Sequence, residues 1–206
     1  MPRTKIDIDL PDLSGKRVVV TGASDGAPRR CRSARRAASQ ISVAARRGSI
    51  TWGDLNGERS YHVMRAYSQS KIEFGVFGLE LQRRSAAHGW GITSNLSHPG
   101  VAPTSLLAAR PEIGRGESIP QYRIIQGLSS RGILLGSVET AALPALMAAT
   151  DPSAKGGVLY GPSGPGDLGG RPAEQRLYAS LRSTEDAARV WEVSERLTGV
   201  SIEVTA

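Results

Sequence analysis

The sequence predicts an α/β protein: a short parallel sheet flanked by helices. Three observations carry this. A β-branched run ends abruptly in glycine at Lys16-Arg17-Val18-Val19-Val20-Thr21-Gly22. A long stretch from about Met64 to Ala87 repeats its apolar residues at helical spacing. A second strand-like run, Trp90 to Ser97, stops at His98-Pro99-Gly100. Strand, helix and strand in alternation are the signature of parallel pairing through crossovers.

Residues 1–15 form a polar lead-in to one domain covering 1–206. A buried parallel strand over 17–21 follows from its continuous β-branched character. Ala23-Ser24-Asp25-Gly26 is a tight turn. Arg29, Arg30, Arg32, Arg35 and Arg36 then crowd into eight positions. Ser39-Gln40-Ile41-Ser42-Val43 reads as a second strand, and 48–65 as a long polar connection. In the helix from 64 to 87 the predicted buried stripe is Ala66, Ser70, Phe74, Phe77 and Leu81. Gly75 and Gly78 weaken its intrinsic propensity, so something must approach them closely. The third strand lies within 91–97. A helix over 138–149 and a strand over 157–160 follow, the latter running into the Gly/Pro loop 161–170. Two helices, 172–182 and 184–198, close the chain.

The formal net charge is +7, concentrated in the arginine run. Such a run can hold a polyanion, but no aromatic interleaving or nucleic-acid module accompanies it, which favours a solvated segment and no nucleic-acid partner. Cys31 is the only cysteine, which excludes an intrachain disulfide and a thiolate metal cluster. His62, His88 and His98 share no ligand spacing, so no metal is expected, and His98 before Pro99 reads as structural. No apolar run reaches the roughly 18 residues of a membrane span, and the N-terminus lacks a signal-peptide core. A cytoplasmic protein is expected. Trp191 on the last helix reads as core.

The sharpest chemical signal is Tyr67-Ser68-Gln69-Ser70-Lys71. Residues four apart on a helix share one face. An ammonium beside a phenol favours the phenolate and draws the tyrosine toward the range in which it exchanges protons near neutral pH.

In five ordered places the chain resembles the short-chain dehydrogenase/reductase family. Val18 to Gly26 looks like the first strand and glycine-rich turn, Ile41-Ser42-Val43 like the serine-bearing strand, and Tyr67 to Lys71 like the YxxxK helix. Asn95 to Val101 looks like the strand and Pro-Gly turn beside the nicotinamide, and Thr104 falls where the family places a hydroxyl near the cofactor. Gly48-Ser49-Ile50, Asp54-Leu55, Glu58-Arg59 and Ala66-Tyr67 bring it closer to the retinol-dehydrogenase-like subgroup. The resemblance implies a Rossmann-like parallel sheet and hydride transfer between NAD or NADP and a small-molecule alcohol or carbonyl. Tyr67 would be the general acid/base, Lys71 would tune it and hold the nicotinamide ribose, and Ser42, with Ser39 as fallback, would hydrogen-bond the substrate oxygen. Gly22, Ser24, Asp25, Gly26, Tyr67, Lys71, Pro99, Gly100, Val101 and Thr104 would line the cofactor.

Two departures shape the expected fold. Pro28 stands where the family turn has its last glycine, bringing bulk and removing an N–H donor. Only fifteen residues separate Gly26 from Ser42, where the family spends roughly a hundred more on strand–helix units of a doubly wound sheet. The adenine half of the cofactor site is therefore missing from the pattern. About a dozen residues suffice to link parallel strands. The expectation is a truncated sheet of about four strands, 17–21, 39–43, 91–97 and 157–160, with the first pairing directly on the second and one face poorly covered. Association into a homo-oligomer would hide that face. The alternative to a dehydrogenase is a non-catalytic remnant that binds a partner through the fold's C-terminal half. A third reading is anion binding through 29–36.

Overall fold

The structure is a computed structural model. It describes residues 18–21, 36–102 and 136–201, together with Ser14 and Gly127. The arginine run from 29 to 35, the turn 22–26, Pro28, Cys31 and Thr104 lie outside the described residues.

Five strands form one sheet in the order in which they occur: β1 (Val18–Thr21), β2 (Arg36–Gln40), β3 (Thr93–Ser97), β4 (Leu159–Pro162) and β5 (Pro172–Gln175). The first four are parallel, and β5 returns antiparallel on β4. The expected α/β architecture, a truncated Rossmann-like sheet, is the one found. β1 pairs directly with β2, Val18 opposite Arg36 and Thr21 opposite Ser39. The short connection thus closes a parallel pair, as its length allows.

The second strand begins three residues earlier than its composition suggests. Arg-Ala-Ala-Ser-Gln is poor in β-branched residues, yet it lies between β1 and β3 and is hydrogen-bonded on both sides. Strand position between partners outweighs intrinsic preference. The ladder extends to Ile41, whose N–H donates to the Ser97 carbonyl at 2.8 Å. Val43–Arg46 then coils into a 3-10 turn capped by Ser42. Arg36, assigned above to the basic segment, is sheet, and its guanidinium donates to the Asp151 carbonyl at 2.5 Å.

Helix α1 (Val63–His88) covers one face of the sheet with α4 (Thr184–Thr198) beside it. Its N-cap is His62, whose Nδ1 accepts from the Arg65 N–H at 3.4 Å, and it ends at Gly89 in the left-handed conformation. The predicted stripe is displaced. The buried face is Gln69, Ile72, Gly75, Val76 and Gly78, whereas Phe74 and Phe77 are half-buried and Ser70 is exposed. The reason is proximity to the sheet. A Cβ on Gly78 would stand 2.8 Å from Ser39 Oγ and 2.9 Å from Leu96 Cδ2, and one on Gly75 would stand 2.7 Å from Leu181 Cδ2. The small residues face the strands, and the phenylalanines fill the flank. Phe77 stacks on Trp191 of α4 at 4.9 Å, and Trp191 is 1% exposed, a core residue as expected.

Gly78→Ala weighs two effects. Alanine favours the helix by about 1 kcal/mol, but overpacking costs about 1–3 kcal/mol. The atoms met are side-chain ends, but both side chains are buried, 5% and 0% exposed, with little room to turn away; the clash wins, and urea unfolding should show a net loss of about 1 kcal/mol.

The opposite face is crossed by α3 (Leu143–Thr150), which packs on all five strands. It follows a one-turn helix α2 (Val138–Ala141), so the single helix expected over 138–149 is broken at Ala142. Pro144 starts the second piece, where its missing N–H is harmless. Period-two alternation sorts the strands: Leu96 and Leu159 join Ile41, Ile72 and Val76 under α1, while Ala38 and Tyr160 meet Ala148 and Ala149 under α3. Asn95, fully buried, bonds to the Ala148 carbonyl and accepts from the Val158 N–H. The helix expected over 172–182 is instead β5 followed by a 3-10 turn, Ala179–Leu181. Pro172 opens an edge strand, a position where its missing donor is tolerated.

Candidate active site

Three chain segments meet at the C-terminal ends of the parallel strands: the turn after β2, the corner after β3 and the loop after β4. Helix α1 brings its first third alongside. The segment 41–48 crosses α1 between Ser68 and Gly75. A Cβ on Gly48 would lie 3.7 Å from Ser68 Cβ and from Ile72 Cδ1, and one on Gly75 would lie 3.4 Å from Ile41 Cγ2. Lys71 lies within this stretch, and at 100° per residue Tyr67 and Lys71 flank the contact.

The Tyr67 and Lys71 side chains are half-buried and face one another, Lys71 Nζ standing 5.6 Å from the centroid of the Tyr67 ring. Burial lowers the Lys71 pKa from its ordinary value, since desolvation penalises the ammonium. No carboxylate stands in salt-bridge range of it among the described residues.

Ser42 is the last extended residue before the turn, and its hydroxyl oxygen accepts from the Ala44 N–H at 3.2 Å. That fixes the oxygen and leaves the hydroxyl proton for donation. Ser39 is placed elsewhere: it is 5% exposed, beneath Gly78, and seven residues of helix put it about 10 Å along the axis from Lys71. Of the two serines, Ser42 lies in the segment that crosses α1 between Ser68 and Gly75.

Pro99, Gly100 and Val101 form the corner after β3. Gly100 has φ +72, and the Leu168 carbonyl oxygen stands 2.4 Å from where a Cβ would be. The Val101 N–H donates to the same carbonyl at 2.8 Å. The corner is held from below by His98, fully buried, whose Nδ1 accepts from the Gly100 N–H at 3.2 Å. Its Nε2 must then carry the proton, which it gives to Gln175 Oε1 at 2.7 Å. The structural role expected of His98 is the one it has. Desolvation lowers its pKa, opposed by the Gln175 hydrogen bond. The folded state thus resists protonation of His98 while the unfolded chain takes it up near pH 6.5. Stability is full above that pH and falls as pH drops through 6.5 toward the depressed folded value. The imidazole resonance of His98 should titrate below 6.5 by NMR.

Gly22, Ser24, Asp25, Gly26 and Thr104 lie outside the described residues; of the others, Tyr67 and Lys71 face one another on α1, Ser42 caps the turn after β2, and Pro99, Gly100 and Val101 form the corner after β3. In the polar connection 48–65 the Asp54 carboxylate, unassigned by the sequence reading, accepts from the N–H groups of Glu58, Arg59 and Ser60. Those bonds hold its pKa low against a desolvation that would raise it. Behind this loop a concavity of about 230 Å³ opens on the other side of α1, against Ala66, Gln69 and Glu73. A wider cleft of about 710 Å³ lies beside Arg46, Asp167 and Tyr178. Neither is lined by Ser42, Tyr67 or Lys71. Among the described residues no helix is long and apolar enough to cross a membrane.

Sheet order, crossing helix and strand-end corner define a Rossmann-type α/β domain shortened between its first two strands. No family model matches the chain, but individual proteins do. It is 31% identical over 156 residues to polyprenol dehydrogenase of Mus musculus, and 30% identical over 156 residues to retinol dehydrogenase 14 of Homo sapiens. Each match covers 74% of this chain and 41% of the relative. Over 66 residues it is 46% identical to retinol dehydrogenase 13 of Homo sapiens, 32% of this chain and 19% of that one. A crystal structure of an uncharacterized protein from Mycobacterium Paratuberculosis superposes with a TM-score of 0.61 at 25% identity, over 82% of this chain and 52% of that one. These similarities agree with the resemblance to the short-chain dehydrogenase/reductase family and its retinol-dehydrogenase-like subgroup. The chain spans about 41% of the length of the first two of these relatives.

Proposed function

We propose that the chain is an oxidoreductase that moves a hydride between NAD or NADP and an alcohol/carbonyl pair. The supporting observation is the Lys71 ammonium facing the Tyr67 ring beside the Ser42 turn. The relatives' names, polyprenol and retinol dehydrogenase, favour a long apolar alcohol as the substrate class.

The residues present fit the nicotinamide-ribose half of the cofactor. Lys71 would offer its ammonium donors to ribose hydroxyls, with Tyr67 as its neighbour, and the half-buried 99–101 corner would offer backbone at the end of β3. When bound, the dinucleotide supplies or accepts the hydride. The chain's own groups handle the oxygen. In the reducing direction the Ser42 hydroxyl donates to the substrate carbonyl oxygen and stabilises charge developing there. The Tyr67 phenol gives that oxygen its proton and becomes phenolate, which the Lys71 ammonium stabilises until solvent returns a proton. In the oxidising direction the same groups run backwards: the phenolate takes the alcohol proton.

Titration with NADPH, followed by quenching of Trp52, Trp90 and Trp191 fluorescence, tests this directly. Saturable quenching is expected. No response up to the millimolar range would favour the second reading, a non-catalytic remnant that binds a partner. The observation favouring that reading is the direct β1–β2 pairing, which replaces the strand–helix units expected to carry the adenine.

A further inference from the structure

Arg46 lies four residues after Ser42, at the end of the 3-10 turn that Ser42 caps. Its guanidinium reaches 120 residues along the chain. Nη1 donates to the Gly166 carbonyl at 2.9 Å, and Nη2 forms an ion pair with the Asp167 carboxylate. The next residue, Leu168, supplies the carbonyl that receives the Val101 N–H and fills the space beside Gly100. The same guanidinium stands 5.1 Å from the Tyr178 ring centroid, and that ring in turn lies 6.0 Å from the His98 ring beneath the corner. A second tie runs in parallel, from the Ser180 hydroxyl to the Ala45 carbonyl.

Asp167 is the one non-glycine residue among those described with positive φ, at 58°. A residue with a Cβ holds that conformation at a cost, smaller for aspartate than for other non-glycine residues. Such a cost persists where the surroundings over-determine the geometry. Here the surroundings are Arg46, which binds both the Asp167 side chain and the carbonyl before it. A two-point guanidinium contact sets orientation as well as distance, which an ammonium would not do.

We propose that Arg46 is a positioning residue that locks the Ser42 turn to the Pro99–Val101 corner through Asp167 and Leu168. This rests on the dehydrogenase reading in one respect only: that the serine hydroxyl and the corner serve one substrate and cofactor. A hydride transfer is sensitive to misplacement of about 1 Å, and among the described residues no hydrogen bond joins the serine turn directly to the corner. The bracket between them is the loop after β4, and Arg46 is its bolt.

Amide hydrogen exchange of the full chain reads this coupling without requiring turnover. In Arg46→Gln the amides of Ala44, which donates to Ser42 Oγ, and of Val101, which donates to Leu168, should both exchange about tenfold faster. The Ala187 amide in α4 serves as reference and should be unchanged. Arg46→Lys keeps the charge but not the two-point contact, and should fall between wild type and the glutamine variant at both amides. Acceleration at Ala44 with Val101 unmoved would make Arg46 a local turn residue and overturn the proposal, as would a lysine variant indistinguishable from wild type. If wild type turns over, Arg46→Gln should lower kcat about tenfold and leave the KM for NADPH within about twofold; a change in KM alone would also overturn it. A wild-type chain inert to NADPH would remove the dehydrogenase reading, and the exchange rates would still decide whether Arg46 couples the two loops.

Discussion

Gly100→Ala should lower the free energy of unfolding by about 3 kcal/mol, seen as an early urea midpoint with an unchanged m-value. Two independent effects add. At φ +72 an L residue is strained by roughly 1–2 kcal/mol. The new methyl would then meet the Leu168 carbonyl oxygen at 2.4 Å and its carbon at 2.8 Å, both backbone atoms. Backbone cannot rotate away as a side-chain tip can, so the 163–170 loop must lift, and overpacking of this kind costs about 1–3 kcal/mol. Lifting the loop would also break the Val101 to Leu168 hydrogen bond and draw Asp167 away from Arg46. The substitution should therefore reduce NADPH-dependent turnover more than the loss of folded protein explains. A variant as stable as wild type would show that the corner and the loop are not in contact.

Tyr67→Phe should lower kcat by about 10²–10⁴, the range associated with losing a positioned proton donor, while changing stability little. Tyr67 is half-buried near the start of α1, with no hydrogen bond from its hydroxyl among those described, so removing one oxygen disturbs no packing. The loss should be in kcat, with NADPH quenching retained, because Lys71 and the corner remain. Lys71→Ala should weaken both. Turnover undiminished in the phenylalanine variant would transfer the acid/base role to another group.

The Tyr67–Lys71 pair was legible because helix periodicity alone puts residues four apart on one face, whatever the rest of the chain does. The Val18–Thr21 strand and the corner at 99–100 were legible for a similar reason: a β-branched run and a Pro-Gly stop are local signals. The helix stripe was misplaced because hydrophobicity marks which residues gain from burial, not which can approach a sheet. Gly75 and Gly78 were the better guide. The β5 strand was hidden because Pro-Ala-Glu-Gln carries no strand signal; it is a strand through its bonds to β4. The Arg46–Asp167 tie joins positions 121 apart, and no local pattern announces such a pair.

By itself, then, the chain of residues determined the fold class, the placing of Tyr67 and Lys71 on one helix face, and the direct β1–β2 pairing that a short crossover allows. These are properties of periodicity, spacing and reach, which act over a few residues. Tertiary structure alone decided that Ser39 packs beneath Gly78 while Ser42 caps a turn, which face of α1 is buried, and what holds the corner in place. Those depend on packing between segments far apart in sequence, where a close approach of 2–3 Å selects one arrangement over others that the same composition would allow.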